Sequence, residues 1–196
     1  MLHKVKLTVI DKKLFPELQT QYCADPNSGA CACYNVGDEF IFERYGTADD
    51  FWHMGLNTLK QTAMTANGIA GGTTFPHCSE AWDAISRYIY TGLQGGSIMR
   101  GWMNDERVMI ACCSDGTRPV IFKIERMDYK AVYLTNIESK DDQEMIRKAF
   151  MNLEDVSEVS FQDEYVEVYL KDDVQDEVLK DIAEGCGEYC VLKIDS

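Results

Sequence analysis

From residue 129 to the end, the apolar residues change period repeatedly, and that succession restricts the available folds more than any other feature of the chain. Residues 131–137 alternate as a strand. Ser139 and Asp142 then stand at capping-box spacing, and Met145, Ile146, Ala149, Phe150 and Leu153 share one helical face. Two short alternating runs, 159–161 and 165–170, flank Gln162-Asp163-Glu164 and read as paired strands. Asp172 or Asp173 is expected to cap a second helix carrying Val174, Val178 and Ile182, which Gly185 and Gly187 stop. A last strand covers 188–194. The order β-α-β-β-α-β predicts a ferredoxin-like βαββαβ sandwich.

Upstream the pattern differs. The chain is therefore read as α+β with two domains, 1–127 and 128–196. Residues 4–10 alternate as a strand with Val5, Leu7 and Val9 on one face. A short helix is expected within 14–21, followed by a loop running from Cys23 through Gly29 to Cys31-Ala32-Cys33. Val36-Gly37-Asp38 turns the chain into a strand over 39–44. Asp49 or Asp50 is expected to cap a helix with Trp52, Leu56, Leu59 and Ala63, and the glycine-rich 67–72 reads as a surface loop. Those glycines form no Walker or dinucleotide fingerprint. Ser79 is the expected N-cap of a helix with Trp82, Ile85, Ile89 and Leu93 as its stripe, ended by Gly92, Gly95 and Gly96. A hairpin over 108–126 turns at Asp115-Gly116, with Val108, Ile110 and Cys112 on one face, and plain core is one reading of that face.

Charge narrows the partners. The net charge is −14, and residues 128–196 hold 7 Lys and Arg against 19 Asp and Glu. So acidic a segment repels phosphate backbones, which argues against nucleic acid. No apolar run reaches membrane-span length, so no membrane partner is expected. The alternating N-terminus lacks the pattern of a signal peptide, which predicts a cytoplasmic protein.

Eight cysteines in such a compartment point to free thiols, metal ligands or redox groups rather than disulfides. Cys31, Cys33, Cys78 and Cys112 are the candidate metal ligands, with Cys23, Cys113 and His77 in reserve, and zinc or an iron–sulfur cluster the candidate cofactor. Their spacing is Cys-x-Cys and singletons, not paired Cys-x-x-Cys knuckles. Cys78 at a helix start, with His77 beside it, is the candidate catalytic pair, because a helix N-terminus stabilises a thiolate. Glu39, Glu43, Asp83 and Glu125 show no spacing that singles out an acid–base pair, and Arg118 is a candidate anion contact. Cys186 and Cys190 read as packing or surface residues.

KVKLTVI at the start, Cys33 leading into VGDEF, Cys78-Ser-Glu-Ala-Trp-Asp and IACCSDGTRPVIFKIERM occur in order over residues 4–127. In these pieces the chain resembles a family of small cysteine-containing proteins described as an uncharacterised repeat protein family. A cysteine-proline pair usually stands at two places in that family. Here those places read Cys33-Tyr34 and Cys112-Cys113, and 45–75 looks inserted. The resemblance implies that Cys33, Cys78 and Cys112 belong together, and it implies no activity. The second domain is similar to a heavy-metal-associated domain in its order of elements. Its loop at 135–140 has no cysteine, which excludes copper or zinc carriage there.

The expected function is that of a cytoplasmic binding or accessory protein whose N-terminal cysteines hold a soft metal or small ligand. The acidic domain would then contact a second copy or a protein partner through its sheet edges. Two alternatives stay open: a thiol-dependent enzyme using Cys78, and a structural or interaction protein with inert buried cysteines.

Overall fold

Alternating apolar residues lay down the strands of the first part of the molecule. A computed structural model describes residues 1–44, 59–64 and 78–196, with 59–64 described by backbone alone. The chain mixes helices with antiparallel strands and divides into two units, Lys4–Arg126 and Met1–His3 with Met127–Ser196. Among the described residues, no helix is long and apolar enough to cross a membrane.

In the first unit, β1 (Leu2–Lys12) pairs with β2 (Glu39–Arg44), and β2 pairs with β3 (Leu59–Met64). On the other side of β1 lies β5 (Val120–Leu134), which carries β4 (Val108–Cys112). Helix α1 (Pro16–Tyr22) precedes the cysteine loop, and α2 (Ser79–Leu93) packs on the sheet. Val5, Leu7 and Val9 join Phe42, Phe122, Ile124 and the α2 residues Ala81, Ile85 and Ile89 in one core. A period-2 face meets a period-3.6 stripe there.

Four expectations need correction in this unit. Leu59 and Ala63 lie in β3 opposite Arg44 and Phe40, so the expected helix does not extend over them. The edge of β2 offers a hydrogen-bonding ladder that outweighs a loose helical spacing. Trp52, Leu56, Asp49, Asp50, the 67–72 glycines and His77 lie outside the described residues. The N-cap of α2 is Cys78 instead of Ser79.

Gly92 does not stop α2 but lies inside it, against β1. A Cβ at Gly92 would come 2.7 Å from Val5 Cγ2, so the residue buys close helix–sheet approach. The stop comes later, where Gly95 takes φ +75°. Finally, the face of Val108, Ile110 and Cys112 is not core. Met109 and Ala111 oppose the fully buried Ile124 and Phe122 and pack against the core, while Ile110 and Cys112 are exposed.

The second unit has strand order β8-β5-β7-β6, all neighbours antiparallel, with β6 (Val156–Phe161), β7 (Val166–Leu170) and β8 (Val191–Asp195). Helices α3 (Lys140–Met151) and α4 (Asp176–Gly185) bury Ile146, Phe150, Leu179 and Ala183 against Val132, Val159 and Val168. Ser139 and Asp142 form the expected capping box, and Asp142 also accepts from the Tyr189 hydroxyl at 2.8 Å.

Residues 127–130, which fall between the expected hairpin at 108–126 and the expected strand at 131–137, are the middle of β5. Two buried charges sit in this stretch. Asp128 is bound by His3 at 2.7 Å, and Lys130 reaches Asp176 at 2.7 Å, Asp173 at 3.1 Å and the Val174 carbonyl. Asp173 is therefore an ion-pair partner, and the N-cap position of α4 falls on Gln175, which makes no side-chain cap hydrogen bond.

Candidate functional site

Three segments of the first unit converge on one pocket, and each is fixed by its own device. The first is the loop after α1. Gln19, only 2% exposed, donates its side-chain N–H to the Gly29 carbonyl at 3.0 Å and accepts the Gly29 N–H at 3.1 Å. Gly29 can meet both contacts because it takes φ +72°. Farther on, the Tyr34 ring is buried edge-on against Phe122, with centroids 5.3 Å apart, and the Tyr34 carbonyl accepts from Lys12. Cys31 and Cys33 are held between these anchors.

The second segment is the start of α2. Cys78 occupies the N-cap without a side-chain cap hydrogen bond, and its carbonyl accepts the Trp82 N–H at 2.9 Å. The third is the hairpin connection. Asp115 accepts from the Thr117 and Arg118 backbone N–H groups and binds Arg118 Nε at 3.0 Å. Ser114 ties this connection to α2 by donating its backbone N–H to the Glu80 carbonyl at 3.1 Å and its hydroxyl to the Glu80 carboxylate.

The result is a cavity of about 160 Å³ lined by Cys31, Cys33, Cys78 and Cys113 together with Tyr34, Glu80, Asp115 and Arg118. Cys113 is buried, and its Sγ accepts the Val120 N–H at 3.3 Å. Cys33 is exposed as a residue, yet the part of it that lines the cavity feels its neighbours. Burial, the charges of Cys31 and Cys78 and a hydrogen bond to Cys31 push its thiol up, while Arg118 pulls it down. Burial also pushes the Tyr34 hydroxyl up, aided by the surrounding cysteines. Asp115 holds the Arg118 guanidinium firmly protonated.

Of the four candidate ligands, Cys31, Cys33 and Cys78 meet here and Cys112 does not. Cys112 is exposed, and Cys113, just past β4, takes its place by continuing the alternation that turns Met109 and Ala111 inward. Among the described residues, no group of three or more His, Cys, Asp or Glu is arranged to hold a metal ion. The sulfurs share a pocket without forming a ready-made metal cage.

Two of the candidate carboxylates form ion pairs: Glu43 pairs with Lys4 at 3.3 Å, and Glu125 pairs with Lys123 at 2.8 Å. Sequence reasoning missed Gln19, Tyr34 and Glu80. A lone glutamine in a short helix carries no signal of its own, because its partner lies ten residues away in a loop. All eight cysteines are free thiols. No family model matches the chain, and neither a curated protein nor a solved structure matches it significantly.

Proposed function

We propose that this chain is a binding or accessory protein whose first unit captures a small thiophilic ligand, most simply a soft d10 metal ion, in the pocket of Cys31, Cys33, Cys78 and Cys113. One observation carries this reading: sulfurs from three separately anchored segments line a single small cavity. Soft thiolate ligands select soft ions, and four sulfurs suffice for tetrahedral coordination. Because the sulfurs are not in coordinating positions beforehand, capture would draw them together, with the exposed Cys33 moving furthest. An ion must displace thiol protons, so uptake strengthens as pH rises.

A nucleophilic role fits less well at Cys33, whose thiol is pushed up by burial and by neighbouring thiols. For the second unit, the order β-α-β-β-α-β with strands β8-β5-β7-β6 supports a ferredoxin-like sandwich. The loop at 135–140 supplies no thiol, so that unit would serve association with a second copy or a protein partner.

The test is a cadmium and zinc titration of the reduced full chain under nitrogen, followed by thiolate-to-metal charge-transfer absorption and proton release. Uptake of one equivalent is expected. Cys33→Ser and Cys78→Ser should each weaken it by about tenfold or more, whereas Cys112→Ser and Cys190→Ser leave it unchanged. Absence of uptake, or uptake indifferent to Cys33→Ser and Cys78→Ser, overturns the proposal. Iron with acid-labile sulfide in protein purified without oxygen would instead identify a cluster as the ligand.

A further inference from the structure

We infer that Cys31 and Cys33 form a reversible intramolecular disulfide by exchange with a low-molecular-weight disulfide, and that this bond closes the pocket to thiophilic ligands. The inference rests on the pocket reading only for its second half. The two residues are separated by Ala32, where the chain bends, and both line the same cavity. Two Cα–Cα steps of about 3.8 Å cannot span more than about 7.6 Å, and a bend shortens that distance. The pair therefore falls naturally near the separation of about 4.4–6.8 Å that a disulfide accepts.

The neighbouring sulfurs are poorer partners. Cys112 and Cys113 are consecutive, with Cα atoms only about 3.8 Å apart, and they lie on opposite faces of the hairpin. Cys113 is also buried and bound to the Val120 N–H. Cys78 stands at the N-cap of α2, so a bond from it to the loop would join two separately anchored segments.

Cys33 is the exposed member of the pair and meets the external disulfide; the nearness of Cys31 decides which bond is kept, and the raised thiol of Cys33 makes its attack slow. Its sulfur, having given up its proton, attacks one sulfur of that disulfide and expels the other as a thiolate, which takes up a proton. The sulfur of Cys31 then attacks the Cys33 side of the mixed disulfide and expels the second external thiol. The protein loses two hydrogens and is oxidised, and the external disulfide is reduced to two thiols. With the bond made, the pocket keeps only Cys78 and Cys113 as free sulfurs, too few for a closed thiolate site.

The experiment incubates reduced, metal-free full-length protein with oxidised glutathione, quenches by alkylation and maps the peptides by mass spectrometry. The expected product carries the cross-link between Cys31 and Cys33, beside simple glutathione adducts at the exposed Cys112 and Cys190, and reverts with dithiothreitol. Cys31→Ser should leave Cys33 as a stable glutathione adduct. A cross-link from Cys33 to Cys78, a stable glutathione adduct on Cys33 of the unsubstituted chain, or no oxidation overturns the inference.

A cadmium titration of both forms separates this inference from the proposed function. Uptake by the reduced form alone supports both, and equal uptake by both forms overturns closure of the pocket. If the reduced form takes up no cadmium while the cross-link forms, the capture reading and the closure fall and the exchange stands. If cadmium binds and no cross-link forms, capture stands and the exchange falls.

Discussion

Opposed influences meet at Cys33. Burial and the thiols of Cys31 and Cys78 hold its proton on, and the guanidinium of Arg118 works to release it. Alkylation requires the thiolate, so iodoacetamide at mildly alkaline pH should modify Cys33 several-fold more slowly than an ordinary exposed cysteine. Arg118→Ala should slow it further, as read by peptide mapping over time. Faster modification of that variant would show that the guanidinium does not govern the thiol. Which member of Cys112-Cys113 faces the pocket could not be read from the sequence, since both alternation phases put apolar residues on both faces of residues 108–113. The phase is fixed from outside, by Phe122 and Ile124 across the ladder. Cys31, Cys33 and Cys78 were legible as a group because cysteine is a rare residue that draws notice wherever it stands. Gln19 was not, because what makes it matter is a carbonyl ten residues on.

Elements show the same division between local and distant causes. The start of α3 was legible, because the capping box is written within four residues. Its coupling to Tyr189 was not. That contact makes the second unit sensitive to pH at both ends. Asp142 is held down to about 2 by Ser139 and then Tyr189, so its stabilisation is complete above its ordinary 3.8 and lost as pH falls through about 2. Tyr189 is pushed up to about 12 by burial and then by Asp142, so its stabilisation is complete below 10 and lost as pH rises through about 12.

Asp142→Asn should therefore lower Tm at neutral pH, and the gap to the unsubstituted protein should close on acidification. A gap that stays constant down to about pH 2 would contradict the assignment. In the first unit, Gly92→Ala should destabilise by about 1–3 kcal/mol in urea unfolding, since the β-branched Val5 has little room to move away. An unchanged midpoint would mean that α2 can shift outward freely.

At the scale of the whole molecule, strand β5 contributes residues 120–126 to one unit and 127–134 to the other. The sequence disguised this continuity, because Asp128 and Lys130 look like the solvated residues of a connection. They are in-strand charges whose partners, His3 and Asp176, lie far away in the chain. The second unit thus borrows residues 1–3 from the far end of the chain. His3→Ala removes a hydrogen-bond partner from the buried Asp128 and should cost about 1–3 kcal/mol. The loss should appear in hydrogen exchange as faster opening of β5 and β7 amides around Asp128 and Leu170, which face each other in the ladder. Unaltered exchange there would show that His3 is dispensable.

The shared strand also sets an order of events during synthesis. When residues 127–134 leave the ribosome, β1 and β4 have already been made, but β7 begins only at Val166. Until β7 and then β8 emerge, the second half of β5 lacks strand partners, the kind of surface to which other nascent chains and chaperones bind. Slow translation between β5 and β7 would prolong that interval, so yield should depend on codon choice over 135–165 more than over any stretch of equal length before it.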